Sequence, residues 1–201
     1  MKSWFKWALI LALCLPYILP SCKSSQAGES GFFFDPRDSQ KYEEVKIGGQ
    51  IWMARNMGFK SEKGSWCYND QESNCETYGR LYSWYSAQNA CPEGWHLPSQ
   101  AEWDQLDKAL GMSAGKKIKS VSGWRDSGGG DGSTGFNALP GGDRFDYGGY
   151  GGQGKEAYFW TSSAAVDKEA YGRFLTYNSE DILRGVWFKG GGNYVRCIKD
   201  N

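Results

Sequence analysis

The sequence lacks any excess of charge, and this absence excludes several classes of protein at the start. Among its 201 residues, 23 are Lys or Arg and 23 are Asp or Glu, so the formal net charge is zero. A domain that binds nucleic acid through bulk charge would carry a basic excess or a basic run, and the sequence has neither. Proline is also scarce, at 6 residues, and no Gly-X-Y repeat occurs, which excludes collagen.

Glycine and aromatic residues are, by contrast, abundant. The chain has 28 Gly together with 10 Trp, 12 Tyr and 10 Phe. The aromatic side chains offer far more surface for burial than a disordered chain carries, and the glycines indicate many tight turns. The composition therefore predicts one folded domain that is rich in loops and has room for a tail.

The first 21 residues have the pattern of an export signal. Two lysines precede an apolar run over residues 7–19. This run is shorter than the ~20 residues that cross a bilayer, but it suits the hydrophobic core of a signal peptide. Residues 19–22, Leu-Pro-Ser-Cys, resemble a bacterial lipobox, so we expect Cys22 to become a lipidated, palmitate-bearing N-terminus. The alternative is an ordinary cleaved signal that leaves Cys22 as a free thiol.

This interpretation divides the chain into three parts. They are a signal peptide over 1–21, a lipidated N-terminus with a flexible tether over 22–42, and one domain over 43–201. The membrane is then one partner, which the protein contacts through its lipid. Lys23 differs from the aspartate that retains some lipoproteins in the inner membrane, so we expect an outer-membrane lipoprotein, at the surface or in the periplasm.

Four cysteines are left for the domain: Cys67, Cys75, Cys91 and Cys197. An even number in an exported chain indicates disulfides, and four cysteines allow three pairings. We favour Cys67–Cys75, which closes a short loop, and Cys91–Cys197, which joins the middle of the chain to its end. A zinc site is the alternative, but no Cys-x-x-Cys spacing occurs and the sequence has a single histidine.

Hydrophobic periodicity predicts both helices and strands. Residues 44–54 alternate around a Gly-Gly pair and predict a hairpin, while 80–90 and 99–110 have helical spacing. Aromatic and β-branched segments near the C-terminus predict four strands. These strands are expected over 157–162, 173–177, 185–188 and 194–198.

The helix predicted over 99–110 has well-marked ends. Ser99 is the expected N-cap, and Glu102 three residues later completes a capping box. Gly111 is the expected C-terminal stop. The glycine-rich segment 123–154, by contrast, predicts an ordered loop without regular structure. We expect buried Phe136 and Leu139 to hold this loop, with its other aromatic side chains near the surface.

Seven blocks of the sequence, taken in their order, resemble a known family. They cover residues 45–56, 79–87, 91–99, 102–103, 135–142, 160–163 and 195–197. Together they resemble the Fibrobacter succinogenes major paralogous domain, over about residues 43–200. The resemblance implies a secreted or lipid-anchored protein of the bacterial envelope, in a family whose molecular function is not established.

That family is similar in turn to the C-type lectin-like fold, which is shared with formylglycine-generating enzymes. The resemblance implies an α+β domain with two helices packed on a mostly antiparallel sheet and a long Gly-rich loop region. It also implies a disulfide between the end of the first helix and the last strand, where Cys91 and Cys197 stand. The Glu-Pro-Asn, Gln-Pro-Asp and Trp-Asn-Asp triplets of calcium-binding lectins do not occur in this sequence.

Candidate ligand-binding residues lie mainly in the Gly-rich loop. Aromatic faces can stack on a sugar ring while Asp and Arg side chains bind its hydroxyl groups. The alternative is that these rings only pack the loop onto the sheet. The predicted site consists of Asp143, Arg144, Phe145, Asp146, Tyr147, Tyr150 and Trp187.

We expect no catalytic residue, no metal and no cofactor. The four loop aspartates lack the Asp-x-Asp-x-Asp-Gly ladder of a calcium loop and are interpreted as turn residues. His96 has no motif partner, so we predict a hydrogen-bonded core residue. A nucleophile elbow, a phosphate loop and a His-Glu-x-x-His motif are absent from the sequence. The four aspartates are Asp126, Asp131, Asp143 and Asp146.

The sequence thus predicts a non-catalytic cell-surface lipoprotein that binds a glycan or a protein partner through residues 123–154, and no nucleic acid. Two alternatives stay open. The first is an enzyme on a scaffold of the formylglycine-generating type, which would need a reactive thiol. The second is a purely structural envelope protein.

Overall fold

Residues 31–200 are described by a computed structural model, and they combine short helices with many short strands. The predicted signal peptide, Cys22 and the first part of the tether lie outside the described residues. The helices are α1 (Glu72–Tyr78), α2 (Trp84–Ala87), α3 (Gln100–Leu110) and α4 (Ala114–Ile118). The strands are β1 (Phe32–Phe34), β2 (Lys41–Ile47), β3 (Gln50–Met53), β4 (Ser65–Trp66), β5 (Leu81–Tyr82), β6 (Trp95–His96), β7 (Gly141–Arg144), β8 (Tyr150–Gln153), β9 (Glu156–Val166), β10 (Glu169–Thr176), β11 (Leu183–Phe188), β12 (Asn193–Tyr194) and β13 (Ile198–Lys199).

The strands form two mostly antiparallel sheets, which confirms the predicted α+β class, although the described residues have four α-helices where two were expected and two sheets where one was expected. One sheet has the order β1-β2-β3-β13-β6, and the other has the order β11-β10-β9-β12-β5-β4. The hairpin of β7 and β8 joins the second sheet through a parallel pairing of β7 with β9. Among residues 31–200, no helix has the length and apolar character needed to cross a membrane.

The predicted hairpin is confirmed by β2 and β3, which pair with Ile47 opposite Gln50. The tether predicted up to residue 42, however, is too long. Strand β1 pairs with β2, and the Phe33 ring lies 5.5 Å from that of Tyr42 and 4.7 Å from that of Trp95. Burial of these rings draws the segment from residue 32 onward into the sheet.

Helix α3 confirms the prediction for residues 99–110 down to its ends. The Ser99 side chain accepts from the Glu102 backbone N–H, and the Glu102 carboxylate accepts from the Ser99 N–H at 2.7 Å. Gly111 follows with φ +67°, a conformation that favours glycine. Trp103 and Leu106 are fully buried, so the predicted apolar face of this helix does contact the core.

The helix predicted over 80–90 is wrong for most of its length. Leu81 and Tyr82 form strand β5, which pairs with both β4 and β12, and only four residues after them form helix α2. The Tyr82 carbonyl also accepts from the Trp160 indole at 2.6 Å. These pairings with distant residues override the local helical spacing. Helix α1 was not predicted, because its sequence lies within an apparent loop.

The Gly-rich segment contains regular structure, which corrects the prediction of a loop over 123–154. Strands β7 and β8 form a hairpin, and their glycines allow an unusually close approach. Gly142 has φ +73°, and a Cβ atom there would lie 2.0 Å from the Gly151 carbonyl oxygen. Glycine thus permits this pairing rather than preventing it. Phe136 is fully buried as predicted, whereas Leu139 is only half-buried.

An aromatic cluster at the centre of the molecule fixes the Gly-rich segment to both sheets. The Trp103 ring lies 5.0 Å from that of Trp52 and 5.5 Å from that of Phe159, and all three are fully buried. Phe136 packs against the same rings. Strands, helix α3 and the Gly-rich segment therefore share one core.

Both favoured disulfides are present. Cys67 pairs with Cys75 across 8 residues, and Cys91 pairs with Cys197 across 106 residues. The first fastens the middle of helix α1 to the segment before it. The second joins the segment after α2 to the residue before β13, and so closes most of the domain into one covalent loop.

Candidate functional site

The β7–β8 hairpin carries six of the seven predicted site residues, and three of them, Phe145, Asp146 and Tyr147, lie in the turn at its tip. The turn is closed by backbone hydrogen bonds from the Phe145 N–H to the Gly149 carbonyl at 2.7 Å and from the Gly148 N–H to the Phe145 carbonyl at 3.0 Å. Gly148 adopts φ +100°, which permits this tight reversal. As a result, the side chains between the two strands are presented together at one end of the hairpin.

Tyr147 is the most exposed ring of this tip. Its side chain is 80% exposed, and its ring centre lies 5.2 Å from that of Phe145. Phe145 is half-buried and lies against the glycines of β8, since a Cβ at Gly151 would come within 2.6 Å of the Phe145 ring. Phe145 thus supports Tyr147 from below and leaves it open to solvent.

Arg144 lies beside these rings, between two further aromatic side chains. Its guanidinium carbon is 4.1 Å from the centre of the Trp66 ring and 6.0 Å from that of Tyr150. Its Nη1 donates to the Phe145 carbonyl at 3.2 Å, and its buried Nε has no hydrogen-bond partner among residues 31–200. We call Trp66, Arg144, Phe145, Tyr147 and Tyr150 the aromatic hairpin surface.

Tyr150 is held by residues that precede helix α1. Its ring lies 5.2 Å from that of Tyr68, and its hydroxyl donates to the Asp70 carboxylate at 2.7 Å. Burial raises the pKa of Tyr150, and the bond to Asp70 adds to the rise. The hydroxyl is therefore a fixed donor to Asp70. Sequence reasoning missed Trp66, Tyr68 and Asp70, because 80 residues separate Asp70 from Tyr150 and no local pattern signals the contact.

The two aspartates of the predicted site lie in different environments. Asp146 is exposed at the tip, whereas Asp143, in strand β7, is only 8% exposed. Burial raises the pKa of Asp143 to about 6, and the nearby Glu156 carboxylate contributes. Asp143 is thus placed away from the surface on which the sequence prediction put it.

Trp187 lies apart from the rings of the tip. Its ring packs edge-on against Tyr158 at 5.4 Å and Phe174 at 5.7 Å, across the strands β9, β10 and β11. Among the described residues, no ring contact links it to the aromatic residues of the hairpin. The structure therefore does not bring Trp187 into contact with the pair of rings formed by Phe145 and Tyr147.

The four loop aspartates are not gathered into a site. Within residues 31–200, the one set of three metal-ligating side chains that lie within 4.8 Å of one another is Cys67, Glu72 and Cys75. Its two cysteines are joined in a disulfide, so they do not offer thiolates to a metal. Asp126 and Asp131 do not belong to that set.

His96 is hydrogen-bonded, as predicted, but it is not a core residue. Its side chain is 40% exposed, with Nε2 2.7 Å from Glu102 and Nδ1 2.5 Å from Asp200. Partial burial lowers the pKa of His96, but the hydrogen bonds and charges of both carboxylates outweigh it and raise the pKa overall. The ring stays near the surface because two carboxylates hold it there.

Comparison with known proteins gives one result. Residues 45–199 match the Fibrobacter succinogenes major domain. The match spans more than three quarters of the chain, from β2 to the end of β13, and includes the hairpin surface and both disulfides. No curated protein and no solved structure matches the chain.

Proposed function

The chain belongs to the Fibrobacter succinogenes major domain family, and we propose that it is a non-catalytic envelope module that binds a glycan through its aromatic hairpin surface. The observation that carries this proposal is Tyr147, a residue 80% exposed whose ring lies tilted at 33° against that of Phe145 at the tip of an ordered hairpin. Tyr and Arg side chains are enriched among the residues that carry the binding energy of interfaces.

The chemistry of the tip suits a sugar. The apolar face of a pyranose ring stacks on an aromatic face such as that of Tyr147. Arg144, next to Phe145, offers guanidinium donors to hydroxyl oxygens, and the exposed Asp146 carboxylate accepts from hydroxyl groups. A surface protein is the alternative partner, because exposed aromatic and Arg side chains also anchor protein interfaces.

A glycan array with three forms of the full chain tests the proposal. Tyr147→Ala removes the exposed ring, and we expect it to weaken binding of the recognised glycan by at least about tenfold, near the loss of one stacking contact. Tyr85→Ala is the matched control, because Tyr85 is another exposed tyrosine, 61% accessible, far from the hairpin in sequence. Equal binding by all three forms, or no binding by any, would contradict a glycan site at this tip.

We also propose that the fold is C-type lectin-like. The order of elements supports this class: a first hairpin in β2 and β3, helix α3, the Gly-rich segment, and then the late strands. The Cys91–Cys197 disulfide supports it too, since it joins the segment after α2 to the residue directly before the last strand, close to the positions that the resemblance implies. An experimental structure superposed on lectins of this class decides the matter.

The module is proposed to be anchored by lipid at Cys22 and to use its other cysteines as structural bridges. All four cysteines of the described residues are paired, which supports a binding role over thiol chemistry. Mass measurement of the chain isolated from its native envelope tests both points. We expect lipid on Cys22 and no alkylation of Cys67, Cys75, Cys91 or Cys197 before reduction. A free thiol among these four favours the enzyme alternative.

A further inference from the structure

Arg196 is a fully buried cation that none of the carboxylates in the described residues neutralises. It takes part in none of the ion pairs found among residues 31–200. Its Nε and Nη2 donate to the Asn56 side-chain oxygen at 3.0 and 2.7 Å, and its Nη1 donates to the Met53 and Phe136 carbonyls. Its guanidinium carbon lies 4.2 Å from the centre of the Phe136 ring. All of its hydrogen-bond partners among residues 31–200 are therefore neutral groups.

One N–H group of the Arg196 guanidinium has no hydrogen-bond acceptor among residues 31–200. A guanidinium has five N–H groups, and both N–H groups of Nη1 and that of Nε have acceptors. Nη2 has two N–H groups but only one acceptor, Asn56. Within residues 31–200, one N–H of Nη2 thus has no partner. A buried N–H without an acceptor is costly, so a bound species next to it would stabilise the fold.

A small cavity adjoins this side chain and also a second arginine. The cavity has a volume of about 20 Å³, and its lining includes Arg55, Asn56, Asn137 and Arg196 but no Asp or Glu. Arg55 is exposed, and no ion pair of the described residues involves it either. A space of this size holds one particle about as large as a water molecule.

The two guanidinium groups beside this cavity repel each other, and an anion between them would relieve the repulsion. Burial, with a smaller contribution from the charge of Arg55, lowers the pKa of Arg196 to about 9. A single negative charge in the cavity would attract both guanidinium groups and accept the free N–H of Nη2.

We propose that this cavity binds one small monovalent anion of the size of chloride, held between Arg55 and Arg196. The proposal is independent of the glycan site, because the cavity is lined by none of the residues of the aromatic hairpin surface. Polyatomic anions such as gluconate are too large for a cavity of about 20 Å³. The proposal therefore predicts selectivity by size as well as by charge.

The thermal unfolding temperature of the full chain tests the proposal, with chloride exchanged for gluconate at constant ionic strength. We expect the temperature to rise with chloride and to saturate. Arg55→Gln removes one of the two charges. In this variant we expect the chloride concentration that gives half of the rise in unfolding temperature to be about tenfold higher. Arg125→Gln, which removes an exposed arginine paired with Asp126, is the control and leaves the chloride dependence unchanged. Arg196 itself is kept, because its loss would leave Asn56 and two carbonyls without donors.

A crystal grown in bromide gives the direct measurement. An anomalous peak between Arg55 and Arg196 in the unmutated chain, weaker in Arg55→Gln, supports the proposal. A water molecule in the cavity with no bromide peak overturns it. An equal effect of chloride and gluconate on the unfolding temperature overturns it as well, whatever the variants do.

Discussion

Asp143 illustrates what residue type and sequence position leave undetermined. An Asp in a Gly-rich segment is usually an exposed turn residue, and the sequence predicted a ligand for sugar hydroxyls. In the structure, β7 pairs with β9 at Gly142 and Ala157, and this pairing buries Asp143 near Glu156. The exposed positions of Tyr147 and Asp146 were predictable from the turn chemistry around them. The burial of Asp143 was not, because it depends on a strand pairing that the sequence does not reveal.

The raised pKa of Asp143 makes a prediction about stability and pH. The folded-state pKa of about 6 exceeds the ordinary value of 3.8, so the folded protein binds the proton more tightly. Stability therefore falls as pH rises through this window, by up to about 3 kcal/mol at ~1.4 kcal/mol per pKa unit. Asp143→Asn cannot ionise, and its free energy of unfolding relative to wild type should increase between about pH 4 and about pH 7.

Urea unfolding at a series of pH values provides this measurement. Asp146→Asn is the matched control, since Asp146 lies three residues away on the same hairpin but is exposed. Parallel pH profiles for the two variants would show that burial does not penalise the Asp143 carboxylate.

At the scale of elements, signals close together in the sequence correctly predicted helix α3. The helix predicted over 80–90 was wrong because part of that segment pairs with distant strands. The start of α3 depends on Ser99 and Glu102, which are close in sequence, so the capping box was visible beforehand. Strand β5 depends on Asn193 and Tyr194, more than one hundred residues away. A helical spacing at 80–90 could not compete with hydrogen bonds that no local pattern encodes.

The cap of α3 also has a role beyond the helix, because Glu102 receives hydrogen bonds from Ser99 and contacts His96. Ser99→Ala removes the side-chain acceptor of the cap, and we expect a loss of about 1 kcal/mol in the free energy of unfolding. Ser122→Ala changes an exposed serine outside any cap and should cost little. Chemical denaturation of both variants measures the difference, and equal losses would contradict a stabilising cap.

At the scale of the whole molecule, the motif blocks predicted the family and the cysteine count predicted two bridges. Both were accessible because they depend on residue identity rather than on packing. The order of the strands was not accessible. Strand β13 pairs with β3 and β6, and β12 pairs with β5 and β9, so the C-terminal residues complete both sheets. Pairing between strands that are far apart in the sequence produces no hydrophobic periodicity from which it could be predicted.

The two disulfides should contribute unequally to the stability of the whole domain. In the chain-entropy model, closing a loop of 106 residues stabilises by about 5 kcal/mol, and closing one of 8 residues by about 2.5 kcal/mol. The double variant Cys91→Ser, Cys197→Ser should therefore lose about twice as much as Cys67→Ser, Cys75→Ser. Denaturation of the two double variants tests this order, and the reverse order would show that native-state strain, not loop length, dominates.

Gly142 lies so close to the Gly151 carbonyl that the paired strands of the hairpin do not tolerate substitution at this position, whereas the turn at the tip does. Any side chain at position 142 collides with the opposite backbone, whereas Asp146 and Tyr147 touch little of the domain. In a randomised library selected only for folding, position 142 should return glycine while positions 146 and 147 tolerate many residues. Family members would then differ in binding specificity through substitutions at positions 146 and 147, while the paired strands of the hairpin stay the same.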